Sequence, residues 1–93
     1  MTERLTEKQK IILYRIALRQ DEQGRQSSMV RLSEIEGDEV YKELVDLEYL
    51  TYEQFGEGKA AIANLIVTLP GMRYCYDHLD EMASLDAKSR QQF

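Results

Sequence analysis

The 93 residues are 43% hydrophobic and 31% charged, a length and balance that suit one globular domain with a modest core. A net charge of −5 gives little long-range attraction to phosphate, and the apolar run Ile62–Leu69 is far too short to span a bilayer. Met1-Thr2-Glu3-Arg4 has no apolar signal region and the single cysteine, Cys75, cannot form an internal disulfide, so the chain is expected to be cytoplasmic.

The charge is unevenly spread. Residues 1–31 hold seven Lys/Arg against four acids, whereas residues 32–93 hold five Lys/Arg against thirteen acids. Thr6 and Gln9 make a T-x-x-Q capping box, predicting a first helix over about 7–20. Ile12, Leu13, Ile16 and Ala17 form one apolar face and Ile11, Tyr14 and Leu18 a second stripe. The polar loop 21–28 contains Gly24, and Ser27 or Ser28 can cap a short second helix with Met29, Leu32 and Ile35 inward. A short strand near Met29–Arg31 fits the same residues. Gly37-Asp38 reads as a stop and restart, with Gly left-handed at a helix end and Asp capping the next helix. That third helix should cover about 39–49, with Val40, Tyr41, Leu44 and Leu47 inward and Glu39, Lys42, Glu43, Asp46 and Tyr49 outward.

Leu50–Phe55 and 61–69 are β-prone and flank Gly56-Glu57-Gly58-Lys59, which predicts a hairpin. Pro70-Gly71 ends the second strand. A last helix is expected over about 71–85, with Met72, Cys75, Tyr76, Leu79, Met82 and Ala83 as a continuous apolar stripe. Residues 1–85 then form one domain and 86–93 a flexible tail.

Two strings carry a family resemblance: Tyr41-Lys42-Glu43-Leu44-Val45-Asp46-Leu47-Glu48-Tyr49-Leu50 and Val67-Thr68-Leu69-Pro70-Gly71. The first resembles a recognition helix running into a wing strand; the second resembles the "L-T-x-x-G" that closes the wing. With the element order, they resemble the winged helix-turn-helix superfamily, nearest to small MarR-like and PadR-like prokaryotic regulators. The resemblance implies an α+β, mostly α fold: a three-helix core, a β-hairpin wing and a C-terminal helix. It also implies binding of double-stranded DNA in transcription regulation, without catalysis. The usual Gly before the wing strand is Tyr49 here, and the outward face of helix three lacks the Arg, Asn and Gln that read base edges.

On that implication Ser28, Arg31, Lys42 and Lys59 are the DNA contacts, with Ser27 and Arg25 adding phosphate contacts. The apolar stripe Met72, Cys75, Tyr76, Leu79, Met82 is the expected homodimer interface. The acidic face of helix three supports an alternative: a protein-interaction module, adaptor or decoy, that docks a basic partner and leaves DNA alone. Cys75 and His78 sit at i, i+3, but one Cys and one His cannot complete a structural zinc site. A Cys–His nucleophile would also need an oxyanion hole that the sequence does not offer. No metal, cofactor or enzymatic activity is therefore expected.

Overall fold

Thr6 and Gln9 start the first helix, α1 (Glu7–Gln23). The Thr6 hydroxyl accepts from the Gln9 N–H at 3.1 Å, and the Gln9 side-chain carbonyl accepts from the Thr6 N–H at 2.8 Å. The capping box is thus formed and satisfies orphan N–H groups at the helix start. The computed structural model describes residues 5–23 and 28–91; Gly24, Arg25 and Ser27 lie outside the described residues. Along α1, Leu13, Ile16 and Ala17 are buried, whereas Ile11, Ile12 and Tyr14 are half-buried and Leu18 is exposed.

The segment that fits either a helix or a strand forms a strand, β1 (Met29–Arg31), which runs directly into α2 (Leu32–Gly37). Ser28 does not cap α2, because the position before the helix is Arg31, whose side chain makes no capping bond. Period-two alternation sends Ser28 inward and leaves Met29, expected inward, half exposed. Gly37 closes α2 without a left-handed φ, and Asp38 caps α3 (Glu39–Asp46) by accepting from the Val40 N–H at 2.9 Å.

The left-handed position falls later, at Glu48, with φ +64°. The Tyr49 N–H reaches the Leu44 carbonyl at 3.1 Å and the Glu48 N–H reaches Val45 at 3.0 Å. These two bonds are a Schellman closure, and they stop α3 three residues before the expected end. Glutamate at this position carries about 1 kcal/mol of steric cost that glycine would avoid.

The hairpin joins β2 (Leu50–Phe55) to β3 (Ile62–Val67) in antiparallel register from Leu50↔Val67 to Phe55↔Ile62. Its connection contains a 3-10 turn, Gly58–Ala60, entered through left-handed Gly56 and Gly58. β1 pairs with the other edge of β3, which gives a three-stranded antiparallel sheet of order β1-β3-β2. Ala63, Leu65 and Val67 of β3 are buried with Leu50 of β2. Beyond the end of β1, Gln20 of α1 replaces the missing strand neighbour. Its side chain accepts from the Val67 N–H at 2.7 Å and donates to the Val67 carbonyl at 3.2 Å.

The expected single C-terminal helix is two helices, α4 (Leu69–Asp77) and α5 (Leu79–Gln91), broken at His78. Thr68 caps α4 by accepting from the Gly71 N–H at 3.1 Å, and its own N–H bonds the Tyr49 carbonyl at 3.1 Å. Its hydroxyl also donates to the Glu48 carbonyl. Thr68 therefore fastens the end of α3 to the start of α4. Leu69 and Pro70, assigned by sequence to the strand and its end, are the first turn of α4, where Pro lacks only a donor that would be unpaired anyway.

The break lets α5 fold back along α1. Met82 is completely buried, Lys10 pairs with Glu81 at 3.1 Å, and Arg15 pairs with Asp86 at 2.5 Å. Residues 86–91, expected as a tail, continue α5, and Asp86 also takes Arg90 at 3.1 Å, one helical turn on. Burial acts to raise the Asp86 pKa, but the hydrogen bonds and charges of Arg15 and Arg90 outweigh it and hold the carboxyl below its ordinary value. The architecture is α+β and mostly helical. Among the described residues no helix is long and apolar enough to cross a membrane.

Candidate functional site

Residues 32–60, which run through α2, α3 and the first strand of the hairpin, contain nine carboxylates and two lysines. Eight of the nine are exposed: Glu34, Glu36, Glu39, Glu43, Asp46, Glu48, Glu53 and Glu57. The ninth, Asp38, is the α3 cap. At 100° per residue, Asp46, Glu39 and Glu43 fall within about 60° on the outward side of α3, with Lys42 on their flank. All four are exposed, as the sequence predicts. Inward, Leu44 is fully buried while Val40, Tyr41 and Leu47 are half-buried.

The field of this region is legible in Tyr41. Its phenol is pushed above its ordinary pKa, first by burial and then by the charges of Glu34 and Asp38. One carboxylate on α3 does more than face water: Glu43 accepts from the Gln9 side-chain amide at 2.6 Å. Gln9 is itself almost completely buried. The residue that caps α1 therefore also fixes the acidic face of α3 against the helical core, a link of 34 residues in sequence.

Of the described residues expected to touch DNA, three are exposed and one is not. Ser28 is buried, its carbonyl accepts from the Leu65 N–H at 2.8 Å, and among the described residues its hydroxyl has no hydrogen-bond partner. It presents no side chain to an incoming phosphate. Arg31 is exposed at the end of β1, opposite Ile62. Lys59 is exposed in the 3-10 turn of the hairpin. These two share one end of the sheet, where the Leu32 N–H bonds the Ala61 carbonyl at 3.0 Å. Lys42 is exposed on α3, among the acids of that helix.

The expected dimer stripe also divides. Cys75 and Met82 are buried in the chain's own core and cannot be an outer contact. Met72 is half-buried, whereas Tyr76 and Leu79 are 76% and 46% exposed. The cause is the break at His78 and the docking of α5 on α1, which turn the inner edge of the stripe into core. Leu69, which the sequence assigns to a strand, is 81% exposed and joins the outer edge.

Cys75 and His78 do not form a reactive pair. Burial pushes the Cys75 thiol up to about 11, so at neutral pH it is a thiol and not a nucleophilic thiolate. His78 instead stacks on Tyr74, with ring centroids 4.2 Å apart, and Tyr74 packs against Tyr49 at 5.1 Å. These rings close the junction between α3 and α4 that Thr68 fastens by hydrogen bonds. Among the described residues no group of three or more His, Cys, Asp or Glu is placed to hold a metal ion.

Comparison of the chain with protein-family models, with curated proteins and with solved structures finds no match. The local geometry of α3 and the hairpin is the ground for a functional reading.

Proposed function

We propose that this chain is a winged-helix-type module that works by docking, without catalysis, and that the outward face of α3 and its hairpin receives a cationic protein surface. One observation carries the reading: eight exposed carboxylates against two lysines over residues 32–60. Duplex DNA presents one negative charge per ~1.7 Å of axis, and proteins that hold it commonly neutralise about six to ten phosphates. Lys42, Lys59 and Arg31 could neutralise about three, while Glu39, Glu43 and Asp46 would enter the same groove as like charges. A carboxylate can accept from cytosine N4, but that contact needs surrounding cations, and α3 has only Lys42. The same face against Lys and Arg side chains gains steering and specificity.

DNA binding is the second reading. The element order of the winged-helix resemblance favours it, together with the exposure of Lys42 and Lys59 at the positions that order assigns to the groove and the backbone.

A fluorescence anisotropy titration with a labelled Lys/Arg-rich peptide tests the first reading. The peptide should bind the full chain, with an affinity that falls as salt rises. Glu39→Lys plus Asp46→Lys should weaken it about tenfold or more, and Lys42→Glu should strengthen it. Peptide affinity indifferent to all three substitutions would remove α3 from the docking face.

A further inference from the structure

The geometry points to the free edge of β2 as a peptide site, where an extended cationic segment adds as a fourth, antiparallel strand. This rests on the docking reading above and names the form that its partner takes. In the order β1-β3-β2, the other side of β2 carries no strand among the described residues. The register and the bond from the Thr68 N–H to the Tyr49 carbonyl fix which backbone groups face that side. Antiparallel pairing alternates by residue, so Thr51, Glu53 and Phe55 turn their N–H and C=O groups toward β3. Tyr52 and Gln54 turn theirs outward, and among the described residues neither has a backbone bond to any other element. Natural edge strands are commonly blunted by short length, Lys, Pro or a bulge. β1 fits that pattern, with three residues and an exposed arginine, Arg31. β2 does not: it is six residues long, has no Lys, Arg or Pro, and runs in unbroken register with β3.

Charge and facing identify the occupant. Between Lys42 and Lys59 the chain holds five carboxylates, Glu43, Asp46, Glu48, Glu53 and Glu57, and no Lys or Arg. All five are exposed. Residues directly opposite each other share a face of the sheet, so Glu53 and Phe55 lie on the same side as Ile62 of β3. Phe55 and Ile62 are 44% and 42% exposed and stand opposite each other in register. An antiparallel strand added to β2 sets one side chain beside Glu53 and, two residues earlier in its own sequence, one beside Phe55. Opposite charges and apolar pairs stabilise at such cross-strand positions. The partner is therefore an extended segment with an aliphatic residue followed two positions later by Lys or Arg. A second copy of β2 is the wrong occupant. The antiparallel register that pairs Tyr52 with Gln54 in both directions places Glu53 directly against Glu53, a like-charge contact. On the opposite edge of the sheet, Arg31 turns a cationic strand away from β1.

Fluorescence anisotropy of the full chain with a labelled, amidated peptide that repeats Ile-Thr-Lys-Thr tests this. With a peptide Lys beside Glu53, the Thr N–H groups meet the Tyr52 and Gln54 carbonyls, and the Lys and Ile N–H groups point away. The peptide should bind. N-methylation of its Thr residues should weaken binding about tenfold or more, whereas N-methylation of its Lys and Ile residues should leave the affinity nearly unaltered. Gln54→Pro removes an outward donor and spares the β3 ladder, so it should weaken binding to a similar degree with little change in the thermal melt. In hydrogen exchange followed by NMR, bound peptide should slow the Tyr52 and Gln54 amides. Equal losses from the two methylation patterns, or unprotected Tyr52 and Gln54 amides in the complex, would overturn strand addition. So would failure of this peptide to bind at low salt. The docking reading itself falls only if the Lys/Arg-rich peptide also fails to bind, or binds regardless of Glu39→Lys plus Asp46→Lys.

Discussion

Gly71→Ala is expected to destabilise the protein by about 3 kcal/mol, a loss that overpacking against backbone can reach. Helix propensity alone predicts the opposite, a gain of up to about 1 kcal/mol for replacing glycine inside a helix. The opposing term is steric. A Cβ at position 71 would meet the Tyr49 carbonyl oxygen far inside van der Waals contact and the Val67 Cγ1 at 2.7 Å. The Tyr49 carbonyl cannot retreat without breaking its bond to the Thr68 N–H, and Thr68 holds Glu48 and Gly71 as well. One methyl group is thus set against the whole junction of α3, β3 and α4. Urea unfolding followed by circular dichroism measures the outcome. An unchanged or higher midpoint would show that α4 does not approach Tyr49 as described.

Met82→Asp is expected to cost about 4 kcal/mol or more, because Met82 has no exposed surface and a buried carboxylate there would lack a partner. For a domain of this size that approaches the full stability. Leu79→Asp, three residues earlier and 46% exposed, should cost about 1 kcal/mol. The contrast separates two roles for the C-terminal stripe. If α5 packs on α1 within one chain, position 82 is core and position 79 is surface, whatever the oligomeric state. Comparable losses at the two positions in dilute protein, by the same urea titration, would contradict that packing.

Local signals in the sequence were reliable where both partners lie within a turn of each other. The Thr6–Gln9 box, the Asp38 cap and the hairpin around Gly56–Lys59 all depend on neighbouring residues, and each is formed. The string Val67-Thr68-Leu69-Pro70-Gly71 could be read as a boundary, but not as a clasp, because the atoms it clasps belong to Glu48 and Tyr49. Other features depend on distant partners. The break at His78 and the helical course of residues 86–91 follow from Arg15 meeting Asp86, 71 residues away. Gly37 closes α2 without a left-handed φ, and the left-handed turn falls on Glu48, at the end of α3 and just before β2.

The candidate face shows the same division. The outward carboxylates of α3 follow directly from helical spacing, so the acidic surface was visible in the sequence. That Glu43 is held by Gln9 was not, since nothing in either segment names the other. Apolar spacing marked Cys75 and Met82 as covered without saying by what. Their burial in the chain's own core moves any pairing surface outward, to Leu69, Met72, Tyr76 and Leu79. Ser28 was expected at a surface as a helix cap, and strand alternation turned it inward instead.

The most direct measurement is anisotropy of a labelled mixed-sequence 20-base-pair duplex titrated with the full chain at low salt, where phosphate attraction is greatest. The acidic face predicts no binding up to about 100 μM, well past the range in which non-specific DNA binding by DNA-binding domains is ordinarily seen. Saturable binding whose salt slope falls by about two when Lys42 and Lys59 are both replaced by Ala would contradict it and place α3 in the groove after all.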